Sequence, residues 1–486
     1  MPLLDLRSFL DRARELGELK TVQGASTDLE IGAITEISLQ NDGPALLFDD
    51  IPGYEHGWRV ATNVCSSTRR GRLALGMDTE TSEEEFMAVF KKHWDNYDPI
   101  PPKVMDSGPI LENIKTGDDI DFSRFPVPVW HELDGGPYIG TGDAVIHQDP
   151  EDGFVNIGTY RVQVHDSKTI TIFTEPESDG RRIMEKYWKQ GKPAPIAISF
   201  GPEPLVFLSG CSANGLPRTE PEYNYTGFLA GEPVPVIKGQ ATGLPISAGS
   251  EIAIEGEVFS PETEHLMEGP FGEWTGYYEA EKTPEPVIHV KTLYHRDNPI
   301  LYGCPPLQHR TSYSFMLPLR SIGTISRLEK AGIPVRRATN LVPFGCNVIT
   351  IHQEKPDDVP RAIDELAKMG GPNRLFIVVD DDVNPNDPWE VLWALGSRFD
   401  PEQSKTSIIG SRWLLDPLRP MQHRSSREAM PYKRMILNGC RPFDRLKDFP
   451  PPNKLSEGRR KETWAKWNMQ DWLGDREKLQ AELVGR

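Results

Sequence analysis

The chain has 486 residues, 37% of them hydrophobic, with 11 Trp, 13 Tyr and 19 Phe. That is material for a sizeable core and for two to four domains of about 100–200 residues, and it excludes a disordered polypeptide. With 54 Lys and Arg against 72 Asp and Glu the net charge is −18, which excludes nonspecific binding to nucleic acid or to an anionic membrane surface.

The chain opens on an amphipathic helix, with Leu3, Leu6, Phe9, Leu10, Ala13 and Leu16 at helical spacing and charges between them. Asp5 and Asp11 interrupt any apolar stretch of a secretory leader, and no apolar run of about 18 residues follows, so a cytoplasmic protein without a membrane span is expected. Cys65, Cys211, Cys304, Cys346 and Cys440 are far apart and lack CxxC spacing, which fits a reducing compartment and gives no zinc or disulfide framework. Residues 45–49 and 58–63 read as strands, and 83–94 as a helix with Phe86, Val89, Phe90 and Trp94 on one face. A Pro-rich connector at 98–110 marks a first boundary. Strands are then predicted at 144–148, 160–165, 169–174, 196–200, 206–208, 251–259 and 287–294, a barrel or sandwich pattern. Beyond 315 the pattern becomes α/β, with helices at 324–331, 359–368 and 388–397 and buried strands at 347–352 and 375–379. The last 45 residues read as a charged arm or a partner-clasping helix.

Residues 131–143, HELDGGPYIGTGD, carry glycines, but their spacing fits no phosphate loop; HExxH and GxSxG are absent. Asp380, Asp381 and Asp382 end a buried strand, either as ligands or as solvated carboxylates capping the next turn. In NIGTYRVQ, Asn156 and Arg161 can face one cavity; read alone they are more readily a turn Asn and a surface Arg. In EGPFGEWTGYY, Glu268 and Glu273 lie five apart among turn residues and aromatics. An arginine paired with one carboxylate, while the other is buried and protonated, makes an acid–base site.

Together these segments resemble the UbiD-type decarboxylases, which use prenylated flavin mononucleotide. The resemblance rests on Asn156 and Arg161, on Glu268-Gly269-Pro270-Phe271-Gly272-Glu273, and on Glu222-Tyr223 with Gly227 and Gly231. It extends to Asp380–Asp382 with Val383 and Asn384, and to Arg434-Met435-Ile436 near Arg441-Pro442, in family order from about residue 5 to 445.

The resemblance implies that Glu273 is the general acid and that Arg161 and Glu268 form the ion pair that holds the substrate carboxylate. It implies a divalent metal, manganese foremost with magnesium or iron as alternatives, and potassium, anchoring the cofactor phosphate. Asn156 and Glu222 match two metal ligands; the family's histidine is missing, and its place falls on Asp179, or on Glu177 in its stead. Gly158 and Thr159 join Asn156, Arg161 and Glu222 at the cofactor, and Arg434 stands where a lysine contacts its phosphate. His309 and Arg310, after Gln308, are candidates for a second polar group of the substrate, which brings dicarboxylates and aryl-CoA thioesters beside simple aromatic acids.

The implied fold is an α/β (α+β) protein: an N-terminal α/β region (1–110), a split β-barrel flavin-binding domain (111–312), a C-terminal α/β oligomerisation domain (313–447) and a tail (448–486) in which Trp464, Trp467 and Trp472 pack on a neighbouring subunit or sit on an exposed helix. The implied activity is reversible nonoxidative decarboxylation of an aromatic or α,β-unsaturated acid by a homodimer or homohexamer, with a prenylated-flavin-producing enzyme as cofactor source. Alternatives are the carboxylating direction, a subunit of a carboxylase complex, and a non-catalytic flavin-binding assembly subunit.

Overall fold

The strand-rich middle of the sequence forms one ten-stranded sheet in the computed structural model, which describes residues 3–176, 178–212, 220–278, 281–307, 318–342, 345–370, 373–411, 418, 430–453 and 455–469. Its strands are β1 (Asn113–Thr116), β2 (Tyr138–Gly140), β3 (Ala144–Gln148), β4 (Val155–Gly158), β5 (Val162–Val164), β6 (Ile170–Ile172), β7 (Ala194–Ser199), β8 (Ile252–Val258), β9 (His265–Glu268) and β10 (Thr283–His295). The order is β2-β5-β6-β10-β8-β7-β3-β4, with β9 and β1 both added to β10. The path has two ends, so the barrel is split rather than closed.

In the antiparallel hairpin of β3 and β4, Val145 faces Gly158, Ile146 faces Ile157 and His147 faces Asn156. Alternation puts Val145, His147, Asn156 and Gly158 on one face and Ile146 with Ile157 on the other. Val145 joins the core that includes Met184 of helix α1 (Asp179–Lys189). Ile146 and Ile157 pack with Val206 of α2 (Pro204–Ser212) and Tyr223 of α3 (Glu222–Ala230).

Residues 206–208, expected as a strand, lie inside α2. The segment PLVFLSGCS is buried on nearly every side, so its apolar residues carry no period that separates helix from strand. At the N-terminus the helix Leu6–Glu15 buries Leu6, Phe9, Leu10 and Ala13, and Asp5 caps it by accepting from the Ser8 N–H. A four-stranded sheet follows, built from Leu19–Gln23, Ala45–Asp49, Arg59–Thr62 and Ile300–Gly303.

The chain divides into two compact units, residues 1–81, 92–320 and 410–431 in the first and 82–91, 321–409 and 432–486 in the second. The second is centred on a sheet of β11 (Val335–Val342), β12 (Cys346–Ile351), β13 (Leu375–Asp380), β14 (Lys405–Ser411) and β15 (Met430–Asn438), in the order β11-β12-β13-β15-β14. β12 and β13 are parallel and joined through helix α4 (Asp358–Ala367), the βαβ unit that the alternating pattern predicts. In the acidic run at the end of β13, Asp381 is exposed and pairs with His352 at 2.7 Å, while its neighbours face arginines. Asp380 is buried, accepts from the Arg441 N–H at 2.8 Å and its Nε at 2.9 Å, and pairs with Arg398 at 3.3 Å; Asp382 pairs with Arg398 at 2.8 Å.

Arg434 in β15, the expected phosphate contact, is also buried. Its guanidinium donates to the carbonyls of Asn373 at 2.7 Å, Met369 at 2.5 Å and Gly370 at 3.2 Å, and stacks 5.1 Å from the Phe376 ring centroid. These are the carbonyls just past the end of α4, so Arg434 closes that turn. All five cysteines are free thiols, and no described helix is long and apolar enough to cross a membrane.

Candidate active site

β9 ends at Glu268, and the chain turns through Gly269 at φ +92°, a left-handed conformation that glycine adopts without steric cost. Gly135 lies against this turn: a Cβ there would stand 1.9 Å from the Gly269 carbonyl oxygen, and its N–H donates to Pro270 O at 2.8 Å. Asp134 accepts from the Gly272 N–H at 3.1 Å and holds the His131 ring at 2.9 Å. The glycine-containing segment that fits no phosphate loop is therefore the backing of the 268–273 turn.

That turn presents both carboxylates to Arg161, which stands just before β5 and is buried. Arg161 Nε and Nη2 donate to the two oxygens of Glu268, each at 2.8 Å, and Nη1 donates to Glu273 Oε1. The Tyr138 hydroxyl donates to Glu268 Oε1 at 2.7 Å. The guanidinium carbon lies 3.9 Å from the Phe173 ring centroid and 5.4 Å from that of Phe271, so aromatic faces cover the cation.

One guanidinium here serves two carboxylates. Burial pushes Glu273 up to about 7; Glu268's negative charge adds to this and Arg161 opposes it. Arg161 itself is held charged, because the pull of Glu268 and Glu273 outweighs the burial that opposes it. Glu175 is pushed up to about 8 by burial and by Glu273, and its Oε1 is buried without a partner, as is Thr174 Oγ1.

A second polar cluster occupies the free end of the sheet. Helix α3 begins at Glu222, whose Oε2 accepts from the Ile157 N–H at 2.7 Å and whose Oε1 accepts from Asn156 Nδ2 at 3.2 Å. Asn156 Oδ1 is buried and has no partner. Burial, with Asp179's charge adding, pushes Glu222 up to about 8. An orphaned carbonyl-type oxygen beside a carboxylate stripped of water is a donor set suited to a hard divalent cation, so these residues fit the implied metal.

Asp179, the first residue of α1, pairs with Arg182 at 3.5 Å and borders a cavity of about 550 Å³ that Asp149, Val155, Lys186 and Tyr223 also line. Among the described residues, the one trio of His, Cys, Asp or Glu with ligating atoms within 4.8 Å is the surface group Asp49, Asp50 and His56. Gly158 packs on the Tyr160 ring, where a Cβ would come within 2.6 Å, and Thr159 Oγ1 is 3.9 Å from Cys211 Sγ. Glu177, Gln308, His309 and Arg310 lie outside the described residues.

The N-terminal, Rift-related and C-terminal domains of the 3-octaprenyl-4-hydroxybenzoate carboxy-lyase (UbiD) family match residues 10–90, 103–309 and 315–439. The chain is 32% identical over 432 residues to the pyrrole-2-carboxylic acid decarboxylase of Pseudomonas aeruginosa, covering 82% of this chain and 84% of that one. It belongs to the UbiD family of carboxy-lyases. Among solved structures of UbiD enzymes, the vanillic acid decarboxylase of Sedimentibacter hydroxybenzoicus in its closed form superposes with TM-score 0.77 at 27% identity, covering 97% of this chain and 99% of that one. HmfF from Pelotomaculum thermopropionicum, solved in complex with prFMN, gives TM-score 0.77 at 24% identity over 94% and 98%, a likeness of fold.

Tyr138, Asp134 and Glu175 support or border the Arg161 cluster, and sequence reasoning passed over all three. Tyr138 and Asp134 did lie in the glycine-containing segment beginning at His131. Nothing in spacing alone says that this segment folds back on residues more than a hundred positions away.

Proposed function

We propose that this UbiD-family chain catalyses nonoxidative decarboxylation of an aromatic or α,β-unsaturated carboxylic acid with prenylated FMN. The observation that carries the reading is the buried Arg161 clamped between Glu268 and Glu273, with Glu273 held near neutrality at about 7. Unpartnered buried atoms near this site and at the sheet end, Thr174 Oγ1, Glu175 Oε1 and Asn156 Oδ1, fit a polar ligand that completes it. Asn156, Gly158, Thr159, Arg161 and Glu222 would hold the cofactor, with Asn156 and Glu222 on a divalent cation, manganese foremost, that takes its phosphate. When bound, the prenylated flavin supplies the electron sink for the departing carboxylate.

The chain's own residues do the rest. Glu268 and Tyr138 fix the guanidinium plane of Arg161, so that it meets a substrate carboxylate in one orientation. That carboxylate competes with Glu273 for Nη1. Displaced from its cation in a water-poor site, Glu273 takes up a proton and becomes a donor. As the bond to the carboxylate carbon breaks and CO2 leaves, the electron pair left on the ring or alkene carbon receives the Glu273 proton. Phe173 and Phe271 supply apolar faces beside an aromatic or unsaturated substrate. Glu175, its carboxyl raised to about 8 and its Oε1 unpartnered, offers a hydrogen-bonding partner to a polar ring substituent, as in pyrrole and phenolic acids.

The test is co-expression with a prenylated-flavin-producing enzyme, a record of bound flavin and metal, and a screen of pyrrole-2-carboxylate, vanillate and unsaturated acids for CO2 release. Flavin absorbance with turnover of at least one acid is expected. A flavin-free protein that releases CO2 from none of them overturns the reading.

A further inference from the structure

The metal cluster of the proposed function has two donors and one gap: the resemblance puts the family's missing histidine at Asp179 or at Glu177, and Asp179 pairs with Arg182. The neighbouring strand offers what that position lacks. His147 on β3 stands directly opposite Asn156 on β4, on the same face of the sheet, and directly opposed side chains in an antiparallel pair have Cβ atoms about 5 Å apart. His147 is 0% exposed, and its Nε2 is buried with no partner. Asn156 Oδ1, on the opposing residue, is orphaned in the same way. Two unsatisfied buried acceptors on facing residues, next to a buried carboxylate, constitute a site rather than an accident of packing.

The ring is also oriented as a metal ligand's is. His147 Nδ1 faces Pro195 O at 3.4 Å, and a carbonyl only accepts, so Nδ1 carries the proton and Nε2 keeps its lone pair. A ligating histidine is regularly fixed through its other nitrogen in this way. Gly180 brings the start of α1 onto the ring: a Cβ there would fall 3.0 Å from His147 Cδ2 and 2.9 Å from the Tyr160 hydroxyl. The lack of a side chain at Gly180 keeps the space beside the imidazole open.

We infer that His147, from the strand beside Asn156, supplies the nitrogen donor to the divalent cation held by Asn156 and Glu222, in place of the residue at 179. The inference rests on the metal reading of the proposed function. It changes that site's chemistry: one imidazole nitrogen among oxygen donors favours Mn2+ or Fe2+ over Mg2+, which a pair of carboxylates would accept readily.

The experiment uses the full chain stripped of metal with a chelator and titrated with MnCl2. Loss of the free six-line Mn2+ signal in electron paramagnetic resonance measures binding, and electron spin echo modulation from 14N reports a coordinated imidazole. In the wild type we expect binding with 14N modulation that converts to the 15N pattern after 15N-histidine labelling. In His147→Gln the modulation disappears and Mn2+ affinity drops by roughly tenfold or more. Asp179→Asn retains the modulation. Should His147→Gln fold poorly, His147→Ala with added imidazole is the second route, and free imidazole then restores the nitrogen signal.

Mn2+ bound without nitrogen modulation, or modulation that persists in His147→Gln, overturns the role of His147 and leaves the metal reading standing. A wild type that binds no Mn2+ overturns both.

Discussion

The ten-stranded sheet holds two buried polar clusters that differ in how far they satisfy themselves. Around Arg161 the guanidinium meets both Glu268 oxygens and Glu273, Tyr138 closes the network, and aromatic rings cover it. Around Asn156 the bonds stop short: Glu222 takes two donors, while Asn156 Oδ1 has nothing to bind. The first cluster is preorganised by protein groups alone, with the electrostatics of proton transfer built in before substrate arrives. The second is organised for something the chain does not itself supply. Removing a protein group should therefore damage the first directly, whereas the second should show its damage through a lost ligand.

The largest effect falls on the complete cluster. Arg161→Leu strands two buried carboxylates, which costs about 3–5 kcal/mol of stability and abolishes turnover; thermal unfolding and CO2 release check both. Glu273→Gln keeps the shape and removes the acid, so CO2 release falls by about 10²–10⁴-fold while flavin content and thermal midpoint stay near wild type. If this variant retained full activity, Glu273 would not be the donor and the contrast between the clusters would lose its catalytic meaning.

At the incomplete cluster, Asn156→Ala removes one donor from Glu222, which should cost about 1 kcal/mol without metal, and should erase the rise in midpoint that Mn2+ gives the wild type. That rise is about 2.7 kcal/mol at a hundredfold excess over the dissociation constant. An undiminished Mn2+ response would show that Asn156 is no ligand.

The pH profile of the wild type probes Glu273 without mutation. Its carboxyl is raised to about 7, so the protonated donor prevails below that pH and is lost above it. The rate should be flat below about pH 7 and fall about tenfold per unit above it; a rate still rising through pH 9 would contradict a carboxylic donor. Smallest of all, Tyr138→Phe removes one hydroxyl from Glu268 and should cost about 1 kcal/mol in unfolding, with a modest drop in kcat/KM.

Legibility varied with the kind of signal. The strands at 45–49 and 144–148 and the helix beginning at Pro388 were readable because each strand is a short, continuous apolar run ending on polar residues and the helix has a terminal proline to mark it. Helix α2 was not, since a segment buried all round has no periodic face. Arg434 was placed by motif order, but a guanidinium can hold carbonyls as readily as phosphate, and here it closes the turn after α4. Asp380 looked like an open strand end because sequence does not show Arg398 and Arg441 arriving beside it.

The sequence by itself determined that this acidic chain of 486 residues is a folded multi-unit protein, and its spaced Asn156, Arg161, Glu268 and Glu273 determined the family. Only the tertiary structure decided which groups share a charge. One guanidinium bridges Glu268 and Glu273 from more than a hundred residues away, and the register of β3 against β4 sets His147 across from Asn156. Coulomb interactions and orphaned lone pairs depend on distance and burial through space, and neither is written along the chain.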